Sequence, residues 1–378
     1  YQSDNSRAFL YVINLATGAL IAKINTGAGS AATPNGLATP TLLVDPDDTN
    51  KSVVAAYAGD LLGNLWKFDL TGSLSSTTTP AFSGAPLFKA RDLDGNIQPI
   101  TAPPAISVHP RASDATQPRH GYMVFFGTGK YFEVGDHAAI ASPVQSLYGI
   151  WDTSVLNSGT WTSGTAITAT DRSVLQQQEI LSETTAVGNE FRVLSKNPID
   201  WDTKRGWYLD LMVGNTRVGE RVTDQATLYS GRAIFITRIP VLPSNICDTA
   251  TGDSWIMSVS METGGRLLDS TGADKVILDV NRDGSFNEYD NIITGIAGEP
   301  ATGSAVSGFK TELAGLSSGF TLIENANKFD VLVSGIDALT TTASASAAST
   351  GSNITAQTKA IAAAAVAKAA TAAGAAGG

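Results

Sequence analysis

Short apolar runs separated by tight turns constrain this chain more than any other feature of its sequence. The runs at residues 52–58 and 65–69, for example, flank a turn rich in Gly, Asp and Asn. Helical periodicity over about eleven residues or more is scarce before residue 338. Many short strands joined by tight turns in one long stretch indicate an all-β sandwich, barrel or propeller.

The same pattern predicts further strands along the chain. Gly214-Asn215 has the composition of a hairpin turn, so we expect residues 206–212 and 217–221 to pair. Residues 308–313 and 319–323 are expected to form a late pair. The other predicted strands are residues 8–13, 19–24, 122–126, 147–151, 232–238, 254–260 and 329–333.

Three segments look like copies of one strand-and-turn unit. Residues 11–18 and 65–72 each carry an aromatic and apolar strand, then Asn or Asp, then a turn ending in Thr-Gly, and residues 256–264 form a weaker copy. Such copies are typical of propeller blades, and residues 1–337 would hold roughly seven blades of about 45–50 residues. We therefore predict an all-β, modified seven-bladed β-propeller over residues 1–337.

Residues 338–378 differ from the rest because Ala, Thr, Ser and Gly dominate them. Ala has the highest helix propensity, so residues 357–373 favour a helix within this Ala-rich, low-complexity tail. We interpret the tail as a linker or a docking helix. Its lysines and weak hydrophobicity argue against a membrane span.

The charge of the chain excludes some classes of partner. The net charge is −10, and Lys and Arg form no run, which argues against nucleic acid. An acidic surface is compatible with divalent cations and with an extracytoplasmic setting. The single cysteine, Cys247, cannot form an internal disulfide. Because the chain starts at Tyr1 without Met, we interpret it as part of a longer precursor.

Residues 279–290 have the ligand spacing of a calcium loop, with oxygen-bearing side chains at positions 1, 3, 5, 9 and 12 and Gly284 at the turn. Phe286 is expected to face apolar packing, and Asp290 in place of Glu suggests weaker binding. Residues 275–278 form a β-like run, so the loop is not a helix–loop–helix EF-hand. The alternative is an ion-free Asx-rich turn. The predicted Ca²⁺ ligands are Asp279, Asn281, Asp283, the Ser285 carbonyl, Asn287 and Asp290.

Other chemistry-bearing residues give weaker patterns. His109, His120 and His137 lack metal-ligand spacing, so a solvated or satisfied core role is preferred. Residues 127–130 are too short for a phosphate loop and precede no helix. The acidic stretches at residues 45–48 and 92–96 are interpreted as Asx turns.

Several segments together resemble the C-terminal domain of the PilY/PilC-type family of type IV pilus biogenesis proteins and tip adhesins. The Thr-Gly-Gly turn followed by the calcium loop is the most specific of them. The segments are residues 57–69, 127–131, 219–222, 234–240, 254–257, 263–266 and 279–290, together with Cys247. The resemblance covers residues 1 to about 335.

The resemblance implies a modified seven-bladed propeller displayed at a pilus tip, fimbrium or outer surface of a Gram-negative bacterium. It implies a calcium site linked to pilus assembly and retraction, twitching motility and attachment, with pilins or minor pilins and a host or abiotic surface as partners. It implies no enzyme activity. The sequence departs from the family pattern in two ways: it lacks a second cysteine near Cys247, and it ends in an Ala-rich tail.

Two other functions stay open at this point. Propellers also house quinone-dependent dehydrogenases, and the segment at residues 59–66 fits their repeats. Such enzymes need calcium beside a catalytic carboxylate, often with adjacent cysteines, whereas this chain has one Cys. The second alternative is a structural filament subunit that docks through its tail.

Overall fold

The computed structural model describes residues 6–137, 143–162, 164–168, 172–241, 251–281, 283, 285–296, 298–311, 317–325 and 328–335. Within those ranges the regular secondary structure consists of strands and three short 3₁₀ segments, so the predicted all-β class is confirmed. Cys247 and the tail at residues 338–378 lie outside the described residues. The chain divides into two compact units, residues 1–317 and 318–378. No helix in the described part is long and apolar enough to cross a membrane.

The first strands form two small sheets. A hairpin contains β1 (Phe9–Ile13) and β2 (Leu20–Asn25), which pair antiparallel. A four-stranded antiparallel sheet follows, in the order β3 (Thr41–Val44), β4 (Val53–Gly59), β5 (Asn64–Asp69) and β6 (Phe88–Lys89). Two further hairpin-sized sheets pair β10 (Leu156–Asn157) with β11 (Thr160–Trp161), and β19 (Ser317–Asn325) with β20 (Lys328–Gly335).

A ten-stranded sheet contains the remaining strands in the order β15-β16-β17-β18-β13-β12-β14-β9-β8-β7. All its neighbours pair antiparallel except β12 and β14, which are parallel. The edge strands β15 and β7 lie beside each other, and Gln225 Nε2 donates to the Pro104 carbonyl at 2.9 Å next to them. The strands are β7 (Ala105–Val108), β8 (Tyr122–Gly127), β9 (Ser146–Asp152), β12 (Gln176–Ala186), β13 (Asn189–Leu194), β14 (Gly206–Val213), β15 (Thr227–Tyr229), β16 (Arg232–Val241), β17 (Thr251–Ser260) and β18 (Gly308–Lys310).

The predicted hairpin around Gly214-Asn215 is wrong. Residues 217–221 form no strand, and only single bridges join Val213 to Thr216 and Arg221 to Arg238. Both edges of β14 are already occupied by β9 and β12, so no edge is left for a returning strand. The predicted late pair is also wrong, because β18 pairs with β13 and β17 whereas β19 pairs with β20.

The Gly-Thr-Gly stretch at residues 127–129 is a site of close backbone packing. A Cβ atom at Gly127 would lie 2.3 Å from Val222 Cβ, and one at Gly129, whose φ is +138°, would lie 2.5 Å from Arg221 Cβ. Val222 N donates to the Thr128 carbonyl at 2.9 Å. Two segments that carry the family resemblance therefore pack on each other, and only glycine fits where they meet.

The turn between β4 and β5 is built around the buried carboxylate of Asp60. Its Oδ1 accepts from Leu62 N and Asn64 N, each at 2.9 Å. Its Oδ2 accepts from Asn35 Nδ2, Asn64 Nδ2 and Trp66 Nε1 at 2.8–2.9 Å. Asp60, Asn64 and Trp66 are thus parts of one hydrogen-bond network that fixes the turn.

A buried ion pair joins the four-stranded sheet to the ten-stranded sheet. Lys67 on β5 and Asp152 on β9 are 2.8 Å apart with side chains only 2% and 0% exposed. Tyr57 Oη donates to the same carboxylate at 2.6 Å, and Lys67 Nζ lies 3.5 Å from the Trp161 ring centre. Burial lowers the pKa of Lys67, although Asp152 opposes this shift. Burial and the Asp152 charge raise the pKa of Tyr57 well above its usual value.

His109 lies in the core, but its Nε2 makes no hydrogen bond to any described residue, so the predicted satisfied core role holds only in part. Its side chain is 1% exposed. The centre of its ring lies 5.0 Å from the centre of the Trp151 ring and 4.4 Å from that of the Trp201 ring. Its Nδ1 accepts from Arg111 N at 3.1 Å. Burial, with smaller contributions from the charges of Arg111 and Arg119, lowers the pKa of His109 to about 4.

We predict that Asp152→Asn destabilises the protein strongly. The substitution leaves Lys67 charged and buried without its counterion, which costs about 3–5 kcal/mol in comparable cases. Thermal and urea unfolding measure the change. Asp202→Asn is the matched control, because Asp202 pairs with Arg119 but is 69% exposed, and loss of such a pair costs about 0–1 kcal/mol. Equal shifts for the two variants would contradict the prediction.

We also predict an acid-sensitive contribution from His109. An unfolded histidine has a pKa of about 6.5, so between that pH and about pH 4 the unfolded chain takes up the proton while the folded chain does not. The stability that the neutral imidazole contributes above pH 6.5 is lost as the pH falls, by roughly 3 kcal/mol.

The melting temperatures of the wild type and of His109→Phe are measured between pH 7.5 and pH 4. The His109→Phe variant should lose less stability than the wild type as the pH falls. His120→Gln changes an exposed histidine and should follow the wild type. Parallel pH curves for the wild type and His109→Phe would be inconsistent with this role.

Candidate metal-binding loop

The candidate loop lies in the long connection between β17 and β18. Residues 275–278, predicted as a β-like run, form no strand; only the bridges Leu268–Asp274 and Ile292–Ser304 occur near the loop. The loop ends in a 3₁₀ turn, Glu288–Asp290, and Asn287 Oδ1 caps it by accepting from Tyr289 N at 2.8 Å. Arg282 and Gly284 lie outside the described residues.

Three of the predicted ligands converge in the first half of the loop. Asp279 Oδ1 and Asn281 Oδ1 both accept from Asp283 N, at 3.1 and 2.9 Å. Asp283 Oδ1 accepts from Ser285 N at 2.7 Å, and its Oδ2 accepts from Asn281 Nδ2 at 3.2 Å. The alternate residues thus turn their oxygens to one side, as both a calcium loop and an ion-free Asx turn require.

Asp290 has a structural role that the spacing did not predict. It is fully buried, and its Oδ1 accepts from Val280 N at 2.8 Å and Asn281 N at 3.1 Å. Its Oδ2 accepts from Asn287 N at 3.0 Å. The carboxylate therefore ties the start of the loop to its end through three backbone N–H groups.

The donor chemistry of the loop fits calcium. In the described part of the chain, no three Asp, Glu, His or Cys side chains alone form a metal cluster. The candidate set instead combines carboxylates with the amide oxygens of Asn281 and Asn287 and the Ser285 carbonyl, all hard oxygen donors of the kind that Ca²⁺ accepts.

The apolar anchors of the loop are Val280 and Ile292. They are 4% and 7% exposed and pack in one cluster with Phe191, Val193 and Val306. Phe286 is 47% exposed, so the prediction that it faces apolar packing is wrong. The loop is held at its two ends, by Val280 next to Asp279 and by Ile292 two residues after Asp290, and the middle of the loop projects outward.

Arg266 braces the connection on both sides of the loop. Its buried side chain pairs with Asp274 at 2.9 Å before the loop and with Glu299 at 2.6 Å after it. Asp274 Oδ2 accepts from Ala305 N at 3.2 Å. Sequence reasoning missed this role, although the Thr-Gly-Gly-Arg segment marks the arginine.

The acidic turns at residues 45–48 and 92–96 bind their own backbone. Asp92 Oδ1 accepts from Asp94 N and Asn96 N at 3.0 and 2.8 Å, and Asp45 Oδ1 accepts from Asp47 N at 3.0 Å. These are the contacts expected of Asx turns.

The chain is similar in sequence to PilY1-type proteins. A family model described as the PilY1 beta-propeller domain matches residues 1–188. The type IV pilus biogenesis factor PilY1 of Pseudomonas aeruginosa PAO1 is 35% identical over 328 residues, which are 78% of this chain and 26% of that protein. A PilY1 homolog of Xylella fastidiosa is 34% identical over 282 residues, 71% of this chain and 18% of that protein.

A solved structure extends the similarity. The crystal structure of the Pseudomonas aeruginosa PilY1 C-terminal domain matches with a TM-score of 0.68 and 31% identity, covering 89% of this chain and 66% of that one. The chain thus spans about a quarter or less of the length of these curated relatives. The resemblance stated from the sequence and the β-propeller class are both confirmed.

We predict that Asp290→Ala weakens the fold even without calcium. Three backbone N–H groups would lose their buried acceptor, a loss of about 3 kcal/mol when each costs about 1. Thermal unfolding in EDTA measures the change. Asp283→Ala is the matched control, because that exposed side chain bonds only within the turn, and it should cost about 1 kcal/mol or less. If both variants melt together in EDTA, the bracing role of Asp290 is wrong.

Proposed function

The chain belongs to the PilY/PilC-type family of type IV pilus biogenesis factors through its PilY1-type β-propeller domain, and from this premise we propose that it is a calcium-binding, non-catalytic module of a type IV pilus. Its proposed roles are pilus assembly, retraction and surface attachment. The observation that carries the calcium part is the convergence of Asp279, Asn281 and Asp283 on one turn. The pilus part is supported by relatives named type IV pilus biogenesis factors.

The proposed architecture is the modified seven-bladed propeller over residues 1–337, followed by the low-complexity tail at residues 338–378. The four-stranded sheet β3–β6 has the size of one blade. The proximity of β7 and β15 supports a sheet that curves back on itself.

The proposed ligand set is Asp279, Asn281, Asp283, the Ser285 carbonyl, Asn287 and Asp290. Bound calcium would supply positive charge that offsets the loop carboxylates. The chain's own contribution is to hold those oxygens in advance, through the bonds to Asp283 N and through the Asp290 brace. Binding to the folded state alone also stabilises that state by mass action.

The proposed partners are pilins or minor pilins and a host or abiotic surface, at the pilus tip, fimbrium or outer surface of a Gram-negative bacterium. The outward projection of the loop supports a contact role, because Phe286 and Tyr289 are 47% and 76% exposed. An ion that orders this loop would fix how these two rings are presented.

The test compares two substitutions that each remove one negative charge from the same loop. Asp283→Ala removes a proposed ligand, whereas Glu288→Gln changes an exposed residue at a position with no ligand role. Terbium luminescence and calorimetry should show binding weakened by about tenfold or more in Asp283→Ala and by only about twofold in Glu288→Gln, the range expected for an exposed charge.

The same two substitutions in the full-length gene connect binding to function. Surface pili and twitching zones should change in cells carrying Asp283→Ala and stay at wild-type values with Glu288→Gln. Equal calcium titrations for the wild type and Asp283→Ala would overturn the calcium proposal. Changed binding with unchanged pili and motility would overturn its link to the pilus.

A further inference from the structure

The first unit contains a cavity that the calcium loop does not use. Its volume is ≈ 210 Å³. It lies among β12, β13, β14, β16, β17, β18 and the segment at residues 216–220. Its lining consists of Glu183, Glu190, Arg192, Met212, Val213, Thr216, Val218, Glu220, Ile239, Asp253, Trp255 and Lys310.

One wall of the cavity is apolar and partly accessible. Met212, Val213, Val218 and Ile239 are all half-buried around it. Trp255 is 1% exposed, and the Arg192 guanidinium already lies 3.9 Å from the centre of its ring. The surface left for a ligand is therefore aliphatic rather than an open aromatic face.

The charged side chains of the lining give it an excess of negative charge. Four carboxylates face two cations, so two net negative charges remain. Arg192 is bound by Glu220 at 2.6 Å and by Glu183 at 2.6 Å. Lys310 is bound by Glu190 at 3.0 Å and by Asp253 at 2.9 Å. Both resident cations are thus paired before any ligand arrives.

The outer carboxylates are the accessible ones. The side chains of Glu183, Glu190 and Asp253 are 35%, 44% and 48% exposed, whereas Glu220 is fully buried. Partial burial lowers the pKa of Lys310, but its bonds to Asp253 and Glu190 outweigh this and raise the pKa above its usual value. The cavity therefore has a charged entrance beside an aliphatic wall.

We propose that this cavity receives the lysine side chain of a partner protein. Its volume is below the roughly 300–1,000 Å³ of small-molecule pockets, which favours a single side chain. An aliphatic wall suits a methylene stem, and the carboxylates at the entrance suit its ammonium group. A second guanidinium would lack the stacking surface that Arg192 occupies on Trp255.

The cavity and the calcium loop lie on opposite faces of β13. Arg192 faces the cavity, whereas its neighbours Phe191 and Val193 pack against Val280 and Ile292 below the loop. Adjacent residues of a strand point to opposite faces of the sheet. The lysine site is therefore a separate surface, and it stands independently of calcium binding and of the pilus role.

The test is a calorimetric or NMR titration of the full chain with Nα-acetyl-lysine methylamide and with its norleucine analogue, which lacks the ammonium group. The lysine compound should bind and the norleucine compound should not. Glu190→Gln should weaken binding and Lys310→Gln should strengthen it, each by about threefold, the size expected for one partly exposed charge. Glu262→Gln, which changes a 43% exposed carboxylate outside the lining, should leave binding unchanged.

The affinity for lysine is expected to fall in Glu190→Gln and to rise in Lys310→Gln. These opposite changes distinguish charge recognition from damage to the fold, because a misfolded cavity would lose binding in both variants. Absence of lysine binding, equal binding of the norleucine analogue, or a change in the same direction for Glu190→Gln and Lys310→Gln would each overturn the proposal.

Discussion

The buried pair of Lys67 and Asp152 constrains how the two main sheets meet, beside an apolar cluster to which both sheets contribute. Removing both charges from water is costly, so the pair is tolerated only because each side chain finds its partner at 2.8 Å. Similar buried pairs tie a strand to a connecting segment: Asp210 on β14 pairs with Arg172, and Arg192 on β13 pairs with Glu220. An alternative strand register would bury the same charges without partners, so these pairs oppose misalignment more than they add stability.

The sequence predicts the strands that are buried on both faces. Residues 122–126 are a continuous apolar run and form most of β8. Residues 207–212 are apolar except for Asp210 and form most of β14. The strand β12 was not predicted because it begins with three glutamines, which are not typical of a buried strand. One of them, Gln178, is nevertheless buried, and its Nε2 donates to the Thr263 carbonyl. Residues 217–221 were predicted as a strand from local turn chemistry, but the edge they needed was taken by β12.

In the candidate loop, too, the sequence predicts local features but not the contacts between distant segments. Spacing alone predicts that Asp279, Asn281 and Asp283 come together, because alternate residues in a tight turn face one side. It could not predict that Asp290 ties the ends of the loop, or that Phe286 projects outward. Both depend on how the loop is packed in three dimensions, where Val280 and Ile292 lie in one apolar cluster with Phe191 from a distant part of the sequence. Blade number, likewise, depends on sheet curvature that repeat counting does not determine.

The three-residue strand β18 is the hydrogen-bonded link between two groups of strands in the ten-stranded sheet. It pairs with β13 on one side and β17 on the other, so it is the link between β15–β17 and the remaining strands of the sheet. Both neighbours precede Gly308–Lys310 in the chain, so they can form before β18 docks between them. Until then, two unpaired strand edges stay open and can recruit other chains. The short strand β18 therefore covers two strand edges at once, which protects the sheet from pairing with other chains.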